Sequence, residues 1–554
     1  SGARTWRPPA AGTLARMHLH DDATEVLADA VIRYAVERMR MDPPPLDHPV
    51  AADELRLAAG ATITAEGIGG LAALRVFEDV LAPACISVDH PKFLSFVPAA
   101  PTEAAILFDL VVGASSVYGG SWLEGAGAIH AENEALRWIA DLVGLPAQAG
   151  GVFVSGGTAG NLSALIAARW RWRDRADGAF DRTRGLMVTS DGAHSSVVLA
   201  ARAMDADVAL VPGGERGEMR GDELRATLDS LGSDLDRVFA VIATAGTTNV
   251  GVVDDLTGAA DAAGELGTWF HVDAAYGGAA LAAPSARPRF AGIDRADSFI
   301  VDPHKWLFAP FDSCALLYRD PAVARAAHTQ HAEYLDVLHA ADAVDEPWNA
   351  SDYAHHLSRR ARGLPLWFSL ATHGTDAYAR AVETTLATTA AAARLIERTP
   401  FTELLMEPEL SIVVFRRVGW SPDDYRRWSD AELAAGRSFV VPTTWTDEVV
   451  LRLSIVNPRT TVDDISEILD SLGTTLSFLS PPGTEGEAAA LELSRPDGSS
   501  ARLDDAVTFG PPLEQPDPLP PPLSLSRVIP GQVPADGEVL AVALGSGFEE
   551  GLTI

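Results

Sequence analysis

Apolar residues recur at helical spacing between positions 22 and 41, in the first long patterned stretch of the chain. They are Val26, Leu27, Val31, Ile32, Ala35, Val36 and Met39. This spacing predicts an amphipathic helix whose apolar face needs a partner helix or a second subunit to cover it. The helix is expected to stop at Asp42, because three prolines follow. A second amphipathic stretch spans residues 127–143.

Short apolar runs alternate with helical stretches through the middle of the chain. The runs lie at residues 151–155, 185–189, 238–244, 268–272, 298–301 and 314–318. Alternation of this kind predicts an α/β fold with a mostly parallel central sheet and helices on both of its faces. Ligands should then bind in the loops that follow the carboxyl ends of the strands.

The last part of the chain divides into two regions of different composition. A long helix from about residue 378, strands at 411–418 and 449–455 and a closing helix at 462–472 predict a smaller α+β domain. Residues 481–554 are acidic and rich in proline, with short strands expected at 502–509 and 539–544. We interpret this extension as partly disordered or a small β unit, and not as the seat of chemistry.

Charge and cysteine content narrow the class of protein. The 554 residues carry a formal net charge of −33 at pH 7, which argues against nucleic acid or an anionic membrane surface as a partner. Even the apolar stretch 104–118 is interrupted by Asp109, so no transmembrane helix is predicted. Cys85 and Cys314 offer no disulfide framework, and we interpret both as small core residues of a protein in a reducing compartment, the cytoplasm.

Only two of the 43 basic residues are lysines, Lys92 and Lys305. Where arginine is used almost everywhere, a remaining lysine is a candidate for work that arginine cannot do, because a lysine amine can lose its proton and attack a carbonyl. Lys305 lies in Asp302-Pro303-His304-Lys305-Trp306, directly after an apolar run. That position favours a Schiff-base role for Lys305; the alternative is a lysine retained by chance.

Two glycine-containing motifs lie where predicted strands turn into helices. In residues 155–161 the glycines allow close approach of a ligand, and the helix start presents N–H groups to an anion. The alternative is a simple glycine-rich turn. In residues 191–196, His194 could stack on a flat ring or donate a proton, or could be a helix-start residue at the surface.

Two further motifs complete a constellation around Lys305. The hydroxyls in residues 244–249 could bond a phenolic oxygen, or form an ordinary turn. Asp273, in residues 271–276, ends a predicted strand, where a buried carboxylate needs a partner. A protonated ring nitrogen would serve, and would make the ring a stronger electron sink. The alternatives are an N-cap or a metal ligand, but no accompanying cluster supports metal. Together these motifs outline a phosphate-bearing, aromatic, cationic cofactor.

In this order the motifs resemble those of the group II pyridoxal-phosphate-dependent decarboxylases, the family of aromatic-amino-acid, histidine and glutamate decarboxylases. The resemblance extends from about residue 22 to about residue 478. It implies fold type I, pyridoxal 5′-phosphate as cofactor, and a homodimer with its active site at the subunit interface. The chain would then comprise a helical segment packing on the partner, a large cofactor-binding domain, a small α+β domain and the extension, at residues 1–102, 103–377, 378–480 and 481–554.

The resemblance also assigns the groups that handle electrons and protons. Lys305 would form the Schiff base, His194 would stack on the pyridine ring, and Asp273 would pair with the ring nitrogen. A tyrosine on a mobile loop reaches the neighbouring subunit's site in this family and returns a proton to the substrate carbon. The matching residue here is Tyr353, with His194 as the other candidate acid; the alternative for Tyr353 is a packed surface tyrosine.

The remaining assignments concern how the cofactor is held. Gly157, Thr158 and His304 would hold the phosphate. Ala275 would pack beneath the ring, and Thr248 would contact its hydroxyl side. No metal is expected in the site.

The substrate stays open at this level, because the segments expected to line its pocket, 96–99 and 118–122, depart from the aromatic branch. Ala99 replaces a threonine and Gly120 replaces a bulky ring, which leaves space for a larger side chain, while Tyr118 and Trp122 still allow an aromatic one. The expected reaction is decarboxylation of an L-amino acid to its amine and CO2. The alternatives are decarboxylation coupled to oxidative deamination, transamination, or a non-catalytic homologue acting as a binding protein.

Overall fold

The structure, a computed structural model, forms two compact units, Ser1–His90 and Pro91–Ile554. The described residues are 18, 20–176, 183–330, 348–473, 476–477, 488–494, 500–508, 524–525, 527–530 and 541–544, with side chains described up to residue 473. Within these ranges, no helix has both the length and the apolar character needed to cross a membrane.

The first unit contains the predicted amphipathic helix. Its helices are α1 (Asp22–Met39), α2 (Ala52–Ala59) and α3 (Gly70–Val76). Helix α1 starts where the Asp21 carboxylate accepts a hydrogen bond from the backbone N–H of Thr24, which satisfies one of the unpaired donors of the first turn. The prediction that Cys85 is a core residue is wrong, because its side chain is exposed.

The second unit combines a large α/β layer structure with a smaller sheet. Its helices are α4 (Glu103–Ser115), α5 (Trp122–Val143), α6 (Gly157–Arg175), α7 (Ser195–Met204), α8 (Gly221–Ser230), α9 (Leu256–Leu266), α10 (Pro303–Trp306), α11 (Pro321–His328), α12 (Leu364–His373), α13 (Thr375–Arg398), α14 (Pro422–Ala434) and α15 (Val462–Gly473). Its strands are β1 (Gly150–Val154), β2 (Leu186–Ser190), β3 (Asp207–Val211), β4 (Val238–Thr244), β5 (Trp269–Asp273), β6 (Ser298–Val301), β7 (Cys314–Tyr318), β8 (Thr402–Leu404), β9 (Ile412–Arg417), β10 (Thr443–Trp445), β11 (Glu448–Ser454), β12 (Leu476–Ser477), β13 (Ala488–Ser494), β14 (Ser500–Thr508), β15 (Ser524–Leu525), β16 (Arg527–Pro530) and β17 (Ala541–Leu544).

The central sheet has seven strands in the order β1-β7-β6-β5-β4-β2-β3. Strands β2 to β6 pair in parallel, and β7 runs antiparallel to both β6 and β1. Strand β1 therefore runs in the same direction as β2 to β6, and the carboxyl ends of these strands meet at one edge. The predicted mostly parallel α/β sheet is confirmed, with one strand, β3, that the sequence pattern did not reveal.

Burial explains why these strands appear in the sequence as unbroken apolar runs. Every residue of β4 and β5 is buried, because helices cover the sheet on both faces and neither face meets water. The smaller sheet has the order β10-β11-β9-β8, and its core is shared with α13, α14 and α15. Beyond it, β13 pairs with β14 and β16 with β17, both antiparallel.

A buried ion pair fixes the segment that leads into α12. Arg359 donates to both carboxylate oxygens of Glu132 on α5 at 2.7 Å, and the Gly363 N–H donates to Oε1 at 2.8 Å. Both side chains are almost fully buried. Removing one charge would leave the other without compensation in a medium of low polarity, which is the costly case for a buried pair.

We expect Glu132→Ala to lower the free energy of unfolding by about 3–5 kcal/mol. Asp141→Ala is the matched control, since it breaks the exposed pair between Arg137 and Asp141 on the same helix, and should cost less than about 1 kcal/mol. Urea titration of both variants measures the difference. Equal losses would show that the buried pair does not stabilise this segment.

Candidate active site

A cavity of about 320 Å³ opens at the carboxyl edge of the central sheet. Its lining comes from the loops that follow β1, β2, β4, β5 and β6 and from the starts of the helices after them. The lining residues are Ser155, Gly156, Gly157, Thr158, Asn161, His194, Ser196, Thr244, Gly246, Thr248, Asp273, Ala275, Tyr276, Asp302, His304, Lys305, Phe311 and Asp312. All the predicted cofactor-binding residues are among them, so residues far apart in the sequence meet at this edge.

One wall of the cavity is the start of α6. The helix begins at Gly157 after Gly156, and no side chain caps it. The first-turn N–H groups are therefore left for a ligand, and a helix start favours an anion. A Cβ added at Gly157 would lie 3.2 Å from the Ala275 Cβ and from Asp302 Oδ2, so a side chain here would crowd the wall. This geometry fits a phosphate group.

Lys305 lies in the short helix α10 beside a buried carboxylate. Its Nζ is 2.9 Å from Asp302 Oδ2, and Asp302 is only 2 % exposed. Burial lowers the pKa of Lys305, but the charges of Asp302 and then Asp273 outweigh it and raise the pKa above its ordinary value. Asp302 was not among the predicted site residues. The available signal was an acidic residue three positions before the lysine, one helical turn away.

Asp273 ends β5 and is held by two donors. Oδ1 accepts from the Ala275 N–H at 3.1 Å, and Oδ2 accepts from Asn161 Nδ2 at 2.7 Å. Asn161 also donates to Ser196 Oγ at 2.9 Å. Neither Asn161 nor Ser196 was predicted as a site residue, although both stand in the motifs that were. These bonds satisfy a buried carboxylate that would otherwise be costly.

The turn after β4 supplies a third wall. Gly246 has φ of +103°, and a Cβ there would lie 2.9 Å from the Gly277 Cα, so only glycine fits. Buried Asp254 accepts from the N–H groups of Thr244 and Met219 at 2.7 and 2.6 Å, and its burial raises its pKa to about 7. The Thr244 Oγ1 is buried and has no hydrogen-bond partner within the protein.

Tyr353 does not line this cavity. Its side chain is 6 % exposed and its ring stacks on Trp348, with ring centroids 4.1 Å apart. Its backbone carbonyl accepts a hydrogen bond from the Tyr318 hydroxyl. The predicted mobile loop comprises residues 333–353, and its residues 333–347 lie outside the described residues. A role for Tyr353 in proton transfer would require its ring to leave this packing.

The predicted substrate segments also lie apart from the cavity lining of this chain. Ala99 is buried, whereas Phe96 is exposed. The expectation that Gly120 leaves free space is wrong, because a Cβ there would lie 2.5 Å from the hydroxyl oxygen of Tyr118. The Tyr118 ring occupies that space, and its hydroxyl donates to the Leu357 carbonyl.

Comparison with known proteins agrees with this site. Residues 70–418 match the pyridoxal-dependent decarboxylase conserved domain. The chain is 30% identical over 392 residues to the aromatic-L-amino-acid decarboxylase of Bacillus atrophaeus, covering 69% of this chain and 80% of that protein. It is 33% identical over 399 residues to the L-2,4-diaminobutyrate decarboxylase of Rhizobium meliloti (strain 1021), covering 70% and 78%.

A solved structure shows the same fold. The crystal structure of Oryza sativa TDC with PLP and tryptamine superposes with a TM-score of 0.73 at 23% identity, covering 84% of this chain and 98% of that one. The chain therefore belongs to the pyridoxal-dependent decarboxylase family. It is a pyridoxal-phosphate-dependent enzyme of fold type I that decarboxylates an amino acid. The predicted fold class, cofactor and reaction class are confirmed.

The buried histidine behind the cavity, His271, should make the stability of the fold depend on pH. Burial lowers the pKa of His271 from 6.5 to about 4, so the unfolded chain binds this proton better than the folded protein does. The folded protein is therefore destabilised relative to the unfolded chain as the pH falls from about 6.5 towards 4.

We expect His271→Asn to flatten the fall in unfolding free energy between pH 6.5 and 4, while the exposed His373→Asn leaves its slope unchanged. Urea titrations at several pH values measure both slopes. If His271→Asn kept the wild-type slope, the fall in unfolding free energy at low pH would not come from the burial of His271.

Proposed function

We propose that this enzyme converts an L-amino acid to its amine and CO2 through a cofactor held covalently by Lys305. The observation that carries the proposal is the convergence of Lys305, Asp273, His194 and the uncapped start of α6 on one cavity. When bound, pyridoxal 5′-phosphate supplies a cationic ring that accepts the electrons left behind by CO2. The residues of the chain must then hold that ring, keep it cationic and deliver a proton.

Three walls of the cavity would hold the cofactor. Gly157 and Thr158 at the start of α6, together with His304, offer donors for the phosphate. Burial lowers the pKa of His304 below its ordinary value. Ala275 offers a small apolar surface beneath the ring, and Thr248 a hydroxyl at the ring edge.

Charge at the site is divided between two aspartates. Asp273 can pair with a protonated ring nitrogen, since its oxygens are already placed by Ala275 and Asn161. Asp302 contacts the Lys305 amine and can stabilise it in its protonated form. A lysine released during turnover would thus be held one helical turn from the carboxylate, ready to return.

Proton return to the substrate carbon needs a group that can reach a cavity. His194 lines the cavity of its own chain, whereas the Tyr353 ring is stacked on Trp348 and would have to leave that packing to reach the cavity of a partner subunit. We therefore favour His194 as the acid. Within the stretch from Lys305 to Arg359 the chain has two further tyrosines: Tyr318, which is buried in β7, and Tyr334, which lies outside the described residues.

The reaction is tested with a panel of amino acids that includes aromatic amino acids, histidine and 2,4-diaminobutyrate. CO2, amine, aldehyde and peroxide are measured, because aldehyde with peroxide would indicate oxidative deamination instead. We expect one amino acid to give amine and CO2 in equal amounts. Lys305→Ala should abolish the absorbance band of the bound cofactor and the amine together, while Lys92→Ala should keep both. Amine formation by Lys305→Ala at the wild-type rate would refute the proposal.

The identity of the acid is tested with matched variants. His194→Phe keeps a flat ring and removes the proton, so amine formation should fall by about 100-fold or more while the cofactor stays bound. Tyr353→Phe keeps the ring stack and should retain amine formation within about twofold of the wild-type rate, because the ring is packed against Trp348. Tyr334→Phe is measured alongside. Loss of amine in Tyr353→Phe, with His194→Phe active, would return the role to Tyr353.

We also propose that the chain works as a homodimer. Leu107, Leu110 and Val111 share one face of α4 at i, i+3 and i+4 spacing and are 44%, 47% and 49% exposed. Apolar side chains grouped in this way usually meet another protein surface. A second copy is the occupant we favour, since the resemblance implies a dimer with its active site at the interface.

We expect Leu110→Asp to shift the protein from dimer to monomer at micromolar concentration, measured by sedimentation equilibrium. Val462→Asp makes the same kind of change at another exposed apolar position and should leave the dimer intact. A monomeric wild-type protein, or a dimer unaffected by Leu110→Asp, would rule out this face as the interface.

The compartment is a further part of the proposal. Both cysteines are free thiols rather than a disulfide, with Cys314 buried and Cys85 exposed. An exposed thiol persists most readily in a reducing environment. This supports the cytoplasm as the place of action.

A further inference from the structure

A continuous series of hydrogen bonds runs behind the cavity from Trp269 to His194. Trp269 Nε1 lies 2.7 Å from Ser298 Oγ, which lies 2.7 Å from His271 Nδ1. The other ring nitrogen of His271, Nε2, lies 2.8 Å from Asn161 Oδ1. Asn161 Nδ2 then contacts Ser196 Oγ, and Ser196 Oγ lies 2.8 Å from His194 Nδ1.

Asp273 sets the direction of the bonds at the centre of the series. Both of its carboxylate oxygens accept hydrogen bonds, so the Asn161 group 2.7 Å away must be the amide NH2 and not the amide oxygen. Reversing the amide would bring two oxygens together at that distance. The Asn161 oxygen therefore faces His271 Nε2, which must carry a hydrogen to bond it.

The outer branch of the series then has one consistent solution. His271 keeps its hydrogen on Nε2, and Nδ1 accepts from the Ser298 hydroxyl, which itself accepts from the Trp269 N–H. Burial lowers the pKa of His271 to about 4, so the ring carries a single proton near neutral pH. Every polar atom of this buried branch is satisfied in only this arrangement.

The inner branch reaches the catalytic histidine. Because Asn161 donates to Ser196 Oγ, the Ser196 hydroxyl hydrogen is left to donate to His194 Nδ1. The backbone N–H of Ser196 also donates to that nitrogen, at 3.2 Å. His194 Nδ1 thus faces two donors and can only accept, so the ring hydrogen resides on Nε2.

We propose that Asn161 and Ser196 are positioning residues. Through their hydrogen bonds, the negative charge of Asp273 holds His194 in a single tautomer, with its hydrogen on Nε2. The proposal rests on the proposed function, in which Asp273 is ionised and His194 lines the cofactor cavity. An amide cannot pass a proton along, so Asn161 separates the ring-nitrogen carboxylate from His194. His194 therefore offers an Nε2–H donor and exchanges no proton with Asp273.

The tautomers are measured directly in the holoenzyme labelled with 15N-histidine, from the nitrogen chemical shifts of the rings. His194→Phe and His271→Asn identify the two sets of signals. We expect the ring hydrogen of each histidine on Nε2. A hydrogen on Nδ1 of either ring would overturn the proposal.

Variants test whether the network acts on the reaction. Ser196→Ala removes one donor to His194 and should lower kcat by about tenfold, the effect of one hydrogen bond, with KM and the cofactor band within about twofold. His194 should then show a mixture of tautomers. Ser195→Ala changes an exposed serine beside it and should alter neither. Unchanged kcat and tautomer in Ser196→Ala would overturn the proposal.

The reaction and the tautomer of His194 are tested by separate measurements. If no amino acid in the panel is decarboxylated, the proposed reaction fails, while the nitrogen shifts of the wild-type protein still decide the tautomers. If amine forms but His194 carries its hydrogen on Nδ1, the reaction stands and the positioning network is wrong.

Discussion

Burial of the Asp273 carboxylate at the end of β5 is the constraint on which the site depends. A charge at this depth must be compensated, and the protein places an amide, a backbone N–H and a lysine amine around it. Each of these groups comes from a different element of the sheet edge. The need to satisfy one carboxylate thus determines how α6, β5 and α10 approach one another.

A second carboxylate, that of Asp302, adds negative charge beside the Lys305 amine. Asp302 pairs with Lys305, and the two aspartates together raise the pKa of an amine whose burial alone would lower it. These carboxylates favour the ammonium form of Lys305, and a bound cationic ring would compete with it for their charge. The same carboxylate also raises the pKa of the Cys314 thiol beyond the effect of burial, which keeps this buried cysteine inert.

Much of the fold could be predicted because buried segments are apolar, and apolar residues are visible in the sequence. Strands β4, β6 and β7 match the predicted runs 238–244, 298–301 and 314–318, since strands covered on both faces are continuously apolar. Strand β3 was missed because it lies at the sheet edge, is only partly buried and begins with Asp207. Cys85 was misjudged for a related reason: apolar neighbours in the sequence do not guarantee burial.

At the site, residue types and motifs were enough to predict which chemical groups are present, and the resemblance of those motifs gave the family and its cofactor. Lys305, Asp273, His194 and the glycine-rich start of α6 were predicted from residue type and from position beside a strand. The fold was needed to show that Asp302, Asn161 and Ser196 belong with them, that Tyr118 fills the space beside Gly120, and that Tyr353 packs against Trp348. A hydrogen bond or a steric contact depends on distances between strands and helices that are far apart in the chain, and local sequence does not determine those distances.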